Sequence, residues 1–133
     1  MATENQEIAL NFFNTIGEGN LDGAFEYTTE DVTFRAIGNN PVVSKTFKGK
    51  EDILNNCWLK VFVHIGPEGV PLTIKNVGSG ENVVFIESIG EAKGRSGMPY
   101  NNEYVHVYHF RGGKICSITE HLDTALLNAL LEQ

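Results

Sequence analysis

The stretch Asn101–Leu130, NNEYVHVYHFRGGKICSITEHLDTALLNAL, decides the fold of this chain. Apolar and polar residues alternate on both sides of the pair Gly112-Gly113, and a leucine-rich segment follows Asp123. A glycine pair between two alternating segments predicts a β-hairpin, because a two-residue turn of the primed type needs positive φ at both central positions. Asp123 is a suitable N-cap, because its side chain can accept the free N–H groups of a first helical turn. The stretch therefore predicts strand, turn, strand and helix.

The turn also decides which residues of the two predicted strands face each other. A two-residue turn places Val107 opposite Ile118 and Val105 opposite Glu120. In this register the aliphatic stripe of the hairpin faces the interior, and Glu120 lies within it. A longer turn with a bulge would exchange the strand faces and bring His106 inside. We take the first register and keep the second as the alternative.

The order of the other predicted elements indicates the fold class. Apolar residues at three- and four-residue spacing predict helices, and alternation predicts strands. The predicted helices run from the capping box at Thr3 to Gly17, over 20–27 and over 49–62, and the predicted strands cover 31–36, 72–78 and 81–92. Helices gathered before a series of strands indicate an α+β fold, in which a curved antiparallel or mixed sheet wraps around N-terminal helices. A short C-terminal helix completes it.

Composition excludes several classes of partner. The chain has 133 residues, 41% of them hydrophobic, which predicts one domain over residues 1–133. A net charge of −7 disfavours nucleic acid and anionic membranes, since both are bound through clustered lysine and arginine. No apolar run approaches the ~20 residues that span a bilayer, and the polar N-terminus is unlike a signal peptide. We expect a cytoplasmic protein.

No metal or cofactor motif is evident in the sequence. His106 and His109 are three residues apart on a strand, so their side chains point to opposite faces. Cys57 and Cys116 lack the spacing of a metal site and are expected to be buried free thiols. Nucleotide fingerprints and phosphate-cradling glycine motifs are also missing. We therefore expect chemistry without a cofactor and no bound metal.

Five short motifs carry a resemblance to a known family. They are GNLDG at 19–23, DVTF at 31–34, FKG at 47–49, GKI at 113–115 and EHLDT at 120–124. With them, nearly the whole chain resembles the SnoaL-like branch of the nuclear-transport-factor-2-like superfamily, which includes ketosteroid isomerases, polyketide cyclases and limonene epoxide hydrolases. The resemblance implies a cone-shaped domain with an apolar pocket between helices and sheet. It also implies a dimer formed through the outer face of the sheet.

The catalytic residues of ketosteroid isomerases are not matched. The resemblance places Phe12 where those enzymes have a tyrosine, and Ala36 where they have the aspartate base. Their protonated aspartate falls at Val107 or His106. Steroid isomerisation needs a base and an oxyanion donor, so the sequence predicts that this chain is not a ketosteroid isomerase.

Two carboxylates are the catalytic candidates. The resemblance to limonene-type epoxide hydrolases aligns Glu120 with an aspartate of the last strand and Glu87 with a second aspartate, while their arginine is replaced by Phe85. Burial and a neighbouring like charge raise the pKa of a carboxyl group, which suits it for acid/base catalysis near neutral pH. We therefore predict Glu120 as the principal acid/base and Glu87 as its partner. The alternative is that Glu120 only bonds a donor at the pocket rim.

The predicted function is binding of a small hydrophobic molecule, with proton transfer as in an isomerase, cyclase or epoxide hydrolase. The residues predicted to contact that ligand are Phe12, Tyr27, Trp58, Val105, Val107, Ile118 and Leu122. A non-catalytic ligand carrier or dimerisation module is the alternative function. In the adopted register Tyr104, His106 and Tyr108 lie on the outer face of the sheet, where aromatic residues are typical of protein contacts. We expect a homodimer through these three residues.

Overall fold

A computed structural model describes residues 2–132 as a six-stranded mixed sheet with helices at both ends of the chain. The helices are α1 (Glu4–Gly17), α2 (Lys50–Ile53), α3 (Leu59–Phe62) and α4 (Thr124–Leu131), with a 3₁₀ turn at Gly23–Tyr27. The strands are β1 (Thr28–Ala36), β2 (Phe47–Lys48), β3 (Leu72–Gly80), β4 (Val83–Gly90), β5 (Glu103–Arg111) and β6 (Lys114–Leu122). The α+β class predicted from the sequence is confirmed.

The sheet is open and mixed. Its strand order is β2-β1-β6-β5-β4-β3, so β2 and β3 form the two edges and no barrel closes. β1 pairs with β6 in parallel, and the other neighbouring pairs are antiparallel. The sequence predicted no helix or strand over residues 37–48, so the two-residue strand β2 was missed.

The first helix forms as its sequence predicts. The Thr3 hydroxyl accepts the Gln6 backbone N–H at 3.1 Å, and the Gln6 side chain accepts the Thr3 backbone N–H at 3.3 Å, which completes a capping box. Ala9, Phe12 and Phe13 are buried on one face of α1. This face forms part of the core that lies between the helices and one face of the sheet.

A π-helical turn interrupts the helix predicted over 49–62. The turn covers Leu54–Trp58 and connects α2 directly to α3. A π turn adds one residue to the helical repeat, and here it accompanies the burial of both Cys57 and Trp58 after Ile53. Apolar spacing predicted the helix but could not locate the extra residue.

The β5–β6 hairpin has the predicted turn and a different register. Gly112 and Gly113 have φ values of 61° and 79°, as a two-residue primed turn requires. Phe110 pairs with Ile115 but His109 pairs with Ser117, so Cys116 is an extra residue in β6. This β-bulge shifts the rest of the strand by one position.

The bulge reverses the predicted faces of β5. His106, instead of Val105, lies opposite Glu120, and Tyr108 lies opposite Ile118. Tyr104 and Tyr108 are buried, and His106 lies with them on the inner face. The register adopted from the sequence is therefore wrong. The alternative was right that the strand faces are exchanged, but the turn is not longer: it keeps two residues, and the bulge lies within β6. No helix among residues 2–132 is long and apolar enough to cross a membrane.

Candidate functional site

A cavity of about 560 Å³ lies between the helices and the inner face of the sheet. Apolar and aromatic side chains make up most of its wall. The principal lining residues are Phe12, Phe13, Ile16, Phe34, Cys57, Trp58, Val61, Phe62, Ile65, Tyr100, Tyr104, His106, Tyr108, Ile118, Glu120 and Leu127. A mostly apolar cavity with a few convergent polar groups is the usual form of a small-molecule site.

Trp58 is the centre of an aromatic cluster on the helical side of the cavity. Its ring packs edge-on against Phe12 at 6.2 Å and Phe34 at 5.7 Å between centroids. Phe25 lies at 5.1 Å in a tilted arrangement. The π turn positions Trp58 for these contacts by burying it beside Cys57.

The polar centre of the cavity is a His106–Glu120 pair on adjacent strands. His106 Nε2 lies 2.8 Å from Glu120 Oε2, and the two side chains are 11% and 21% exposed. An ionised carboxylate only accepts hydrogen bonds, so Nε2 carries the proton whenever Glu120 is charged. Residues 2–132 place no hydrogen-bond donor on Glu120 Oε1. This oxygen is therefore available to a molecule in the cavity.

Three aromatic rings fix the orientation of the His106 imidazole. It stacks on Tyr104 at 5.4 Å and on Tyr108 at 6.1 Å, and Phe13 meets it edge-on at 6.1 Å. Its Nδ1 is buried without a hydrogen-bond partner among the described residues. The imidazole is thus held by ring packing and by its single hydrogen bond to Glu120.

Burial suppresses ionisation of one thiol and three phenol groups in the wall. It raises the pKa of the Cys57 thiol to about 12, and the charge of Glu120 adds to the effect. It raises the pKa of Tyr100 to about 12, and it raises the pKa values of Tyr104 and Tyr108 well above the usual range. Cys57 is therefore a protonated thiol at neutral pH, without the thiolate character of a nucleophile.

The structure places some of the predicted site residues at the cavity and others elsewhere. Those in the wall are Phe12, Trp58, Ile118 and Glu120. Tyr27 and Leu122 are half-buried and pack against the core outside the wall. Val105 and Val107 lie on the opposite face of β5, because the bulge at Cys116 reverses the register.

Glu87 is on the outer face of the sheet, away from Glu120. It alternates along β4 with buried Ile86 and Ser88, and it pairs with Val105. Asn76 Nδ2 donates a hydrogen bond of 2.7 Å to Glu87 Oε1. The predicted pairing of Glu87 with Glu120 is therefore corrected by the geometry, since the two carboxylates face opposite sides of the sheet.

His106 is the site residue that the adopted register missed. In that register it lies with Tyr104 and Tyr108 on the outer face, whereas in the structure all three line the cavity. Only the alternative register with a bulge signalled an inward His106. In residues 2–132 no group of three or more His, Cys, Asp or Glu side chains is placed to hold a metal ion.

Comparison with known proteins identifies the family. The SnoaL-like domain family matches residues 9–118 of the chain. The chain belongs to this family. No curated protein matches the SnoaL-like chain in sequence.

Solved structures share the fold of this SnoaL-like domain at low sequence identity. An NTF2-like protein of unknown function from Burkholderia pseudomallei has a TM-score of 0.86 at 18% identity, covering 99% of this chain and 100% of that chain. TerC co-crystallised with polyporic acid has a TM-score of 0.84 at 19% identity, covering 98% of this chain and 100% of that chain. A putative SnoaL-like polyketide cyclase from Jannaschia has a TM-score of 0.78 at 17% identity, covering 96% of this chain and 91% of that chain.

Proposed function

We propose that this SnoaL-like domain binds a small, largely apolar organic molecule in its cavity and transfers a proton to or from it without a cofactor. Glu120 is the acid/base group, and His106 is its positioning residue. One observation carries the proposal: His106 holds one oxygen of Glu120, while the other oxygen is unpaired beside an apolar cavity. Glu87 has no part in it, because it lies on the other face of the sheet.

The arrangement suits a carboxylate that must act repeatedly in one orientation. Glu120 Oε1 takes a proton from a carbon or oxygen acid of the bound molecule, and the neutral carboxylic acid then returns it to a second atom. His106 keeps the carboxylate aimed at the cavity through its Nε2–H, and the stacked tyrosine rings keep the imidazole in place. Isomerisation consists of such transfers, and cyclisation and water addition include them alongside the C–C or C–O bond that they form.

The similar structures support this class of ligand. TerC was co-crystallised with polyporic acid, and another neighbour is described as a putative SnoaL-like polyketide cyclase. Their identities of 19% and 17% indicate the shared fold and leave the substrate of this chain open.

The test combines binding and proton exchange. Trp58 is the only tryptophan and lines the cavity, so its fluorescence reports occupancy directly. Tetralin, a bicyclic hydrocarbon, is titrated as the apolar probe. Exchange of the C–H groups next to the carbonyl of 2-tetralone is then followed by NMR in heavy water. We expect both probes to change the Trp58 emission and the protein to accelerate the exchange above the buffer rate.

Two variants assign the activity. Glu120→Gln keeps the shape and removes the base, so we expect it to lower the exchange rate about 100-fold or more without abolishing probe binding. Glu87→Gln is the matched control, because it makes the same change on the outer face. Equal loss in both variants would contradict the assignment. Binding without exchange would favour the ligand carrier, and no change in Trp58 emission would exclude a ligand-binding cavity.

We also propose a homodimer through the outer face of the sheet. Three apolar side chains on this face support the proposed interface: Phe85, which is 41% exposed, its cross-strand partner Val107, and Val105. Tyr104, His106 and Tyr108 have no part in the proposed interface, because they line the cavity.

A further inference from the structure

Asn102 is a fully buried amide that contacts Tyr100 of the cavity wall. Its Oδ1 accepts the backbone N–H of Glu103 at 2.8 Å and that of Asp123 at 2.9 Å. Its Nδ2 donates to the Asp123 carbonyl at 3.1 Å and to the Tyr100 hydroxyl oxygen at 3.3 Å. All four hydrogen-bonding positions of the amide are thus occupied.

These contacts allow one orientation of the amide. Rotating Asn102 by 180° would place its NH₂ group against two backbone N–H groups and its oxygen against the Asp123 carbonyl, so these three hydrogen bonds would be lost. Nδ2 is therefore the donor towards Tyr100. The Tyr100 hydroxyl therefore accepts this hydrogen bond and does not donate one to Asn102.

The Tyr100 hydroxyl keeps its proton at neutral pH, because burial raises its pKa to about 12. Its oxygen accepts from Asn102, so its O–H is left to donate in another direction. Tyr100 lines the cavity, as Tyr104 does.

We propose that Tyr100 is a ligand-orienting hydrogen-bond donor, positioned by Asn102, and that the cavity selects apolar molecules that carry a carbonyl oxygen. The donor binds that oxygen, while Glu120 lies further along the same wall beside His106, the second residue after Tyr104 on β5. Binding through the oxygen thus brings the C–H or O–H acids near the carbonyl towards Glu120. This assignment rests on the proposed function and adds the substrate class to it.

The experiment compares two probes with one skeleton. 2-Tetralone carries a carbonyl and tetralin does not, so their affinity ratio, measured through Trp58 fluorescence, isolates the oxygen contact. One hydrogen bond predicts about three- to tenfold tighter binding of 2-tetralone. The infrared C=O stretch of bound 2-tetralone should also lie below its value in an apolar solvent.

Tyrosine variants identify the donor. We expect Tyr100→Phe to bring the affinity ratio close to one and to remove the carbonyl shift, with tetralin binding unchanged. Tyr104→Phe should keep the shift, because Tyr100 retains its proton. Tyr27→Phe is the matched control outside the cavity wall. If Tyr104→Phe loses the shift and Tyr100→Phe keeps it, the assignment to Tyr100 is overturned.

Asn102→Asp tests the positioning role with nearly the same volume. It replaces the Nδ2 donor by an oxygen, so the Tyr100 proton turns towards that oxygen and the carbonyl shift disappears although Tyr100 is present. If this variant does not fold, Tyr100→Phe alone decides the proposal.

The outcomes separate this inference from the proposed function. Equal binding of both probes without a carbonyl shift would overturn the donor assignment and leave the ligand cavity and Glu120 in place. If neither probe changed the Trp58 emission, the proposed function and this inference would both be wrong.

Discussion

At the scale of single residues, the inner wall combines charged and ionisable groups with deep burial. Glu120 keeps some exposure and a histidine partner, whereas Cys57 and Tyr100 are each only 2% exposed. Burial keeps the thiol and the hydroxyl protonated, because their charged forms would lose hydration. The wall can thus supply a donor at Tyr100 and a carboxylate at Glu120 without a second anion between them.

The raised pKa values of these buried groups predict that the free energy of unfolding falls at alkaline pH. The pKa rises from 9.0 to about 12 at Cys57 and from 10.0 to about 12 at Tyr100. Between pH 9 and 12 the unfolded chain therefore releases protons that the native state keeps, so the free energy of unfolding falls as pH rises. Below pH 9 this contribution is fully present.

Urea unfolding between pH 8 and 11 measures the effect. We expect Tyr100→Phe to reduce the loss between pH 8 and 11 by about 1 kcal/mol relative to the unmodified chain, since one shifted group is removed. An identical loss in both proteins would show that the Tyr100 hydroxyl ionises as readily in the native state as in the unfolded chain.

At the scale of elements, short-range signals account for most helix and turn boundaries. The capping box at Thr3, the Gly112-Gly113 turn and the Asp123 N-cap were all predicted, because each depends on residues within about four positions along the chain. The β-bulge at Cys116 and the π turn before Leu59 were not predicted. Each adds one residue to a regular repeat, and packing across the core decides where that residue is accommodated.

The C-terminal helix allows a direct test of its cap. Asp123 Oδ1 accepts the backbone N–H groups of Ala125 and Leu126 at 3.0 and 3.2 Å, and Leu127 and Leu130 are buried beyond them. We expect Asp123→Ala to lower the free energy of unfolding by about 1 kcal/mol in urea titrations. Asp123→Asn should cost much less, because an amide oxygen also caps. Equal losses would indicate that the charge, not the hydrogen bonds, stabilises α4.

At the scale of the whole molecule, the two faces of the sheet carry different features. The inner face carries the cavity and its polar centre, and the outer face carries Phe85, Val105 and Val107. Because apolar side chains on an exposed sheet face are stabilised by a partner, the proposed homodimer would cover them without obstructing the cavity.

Light scattering after size exclusion tests the dimer. We expect Phe85→Lys to shift the mass from two copies to one, since a lysine at the centre of an apolar interface must be desolvated. Val63→Lys is the matched control, because Val63 is an exposed apolar residue at the end of α3, away from the sheet. A mass of one copy for the unmodified chain would contradict the proposal. So would a dimer that Phe85→Lys leaves intact.

The sequence by itself determined the α+β class, the helix caps, the glycine turn and the inward position of Glu120. These follow from local backbone preferences and from alternation, which depend on near neighbours along the chain. Only the tertiary structure decided the partner of Glu120. The extra residue at Cys116 shifts β5 against β6 by one position, and that shift moves His106 into the cavity and Val105 out of it. The turn has two residues, as predicted, but the bulge beyond it sets the register, so the register depends on how Tyr104, His106 and Tyr108 pack against α1 and the rest of the core.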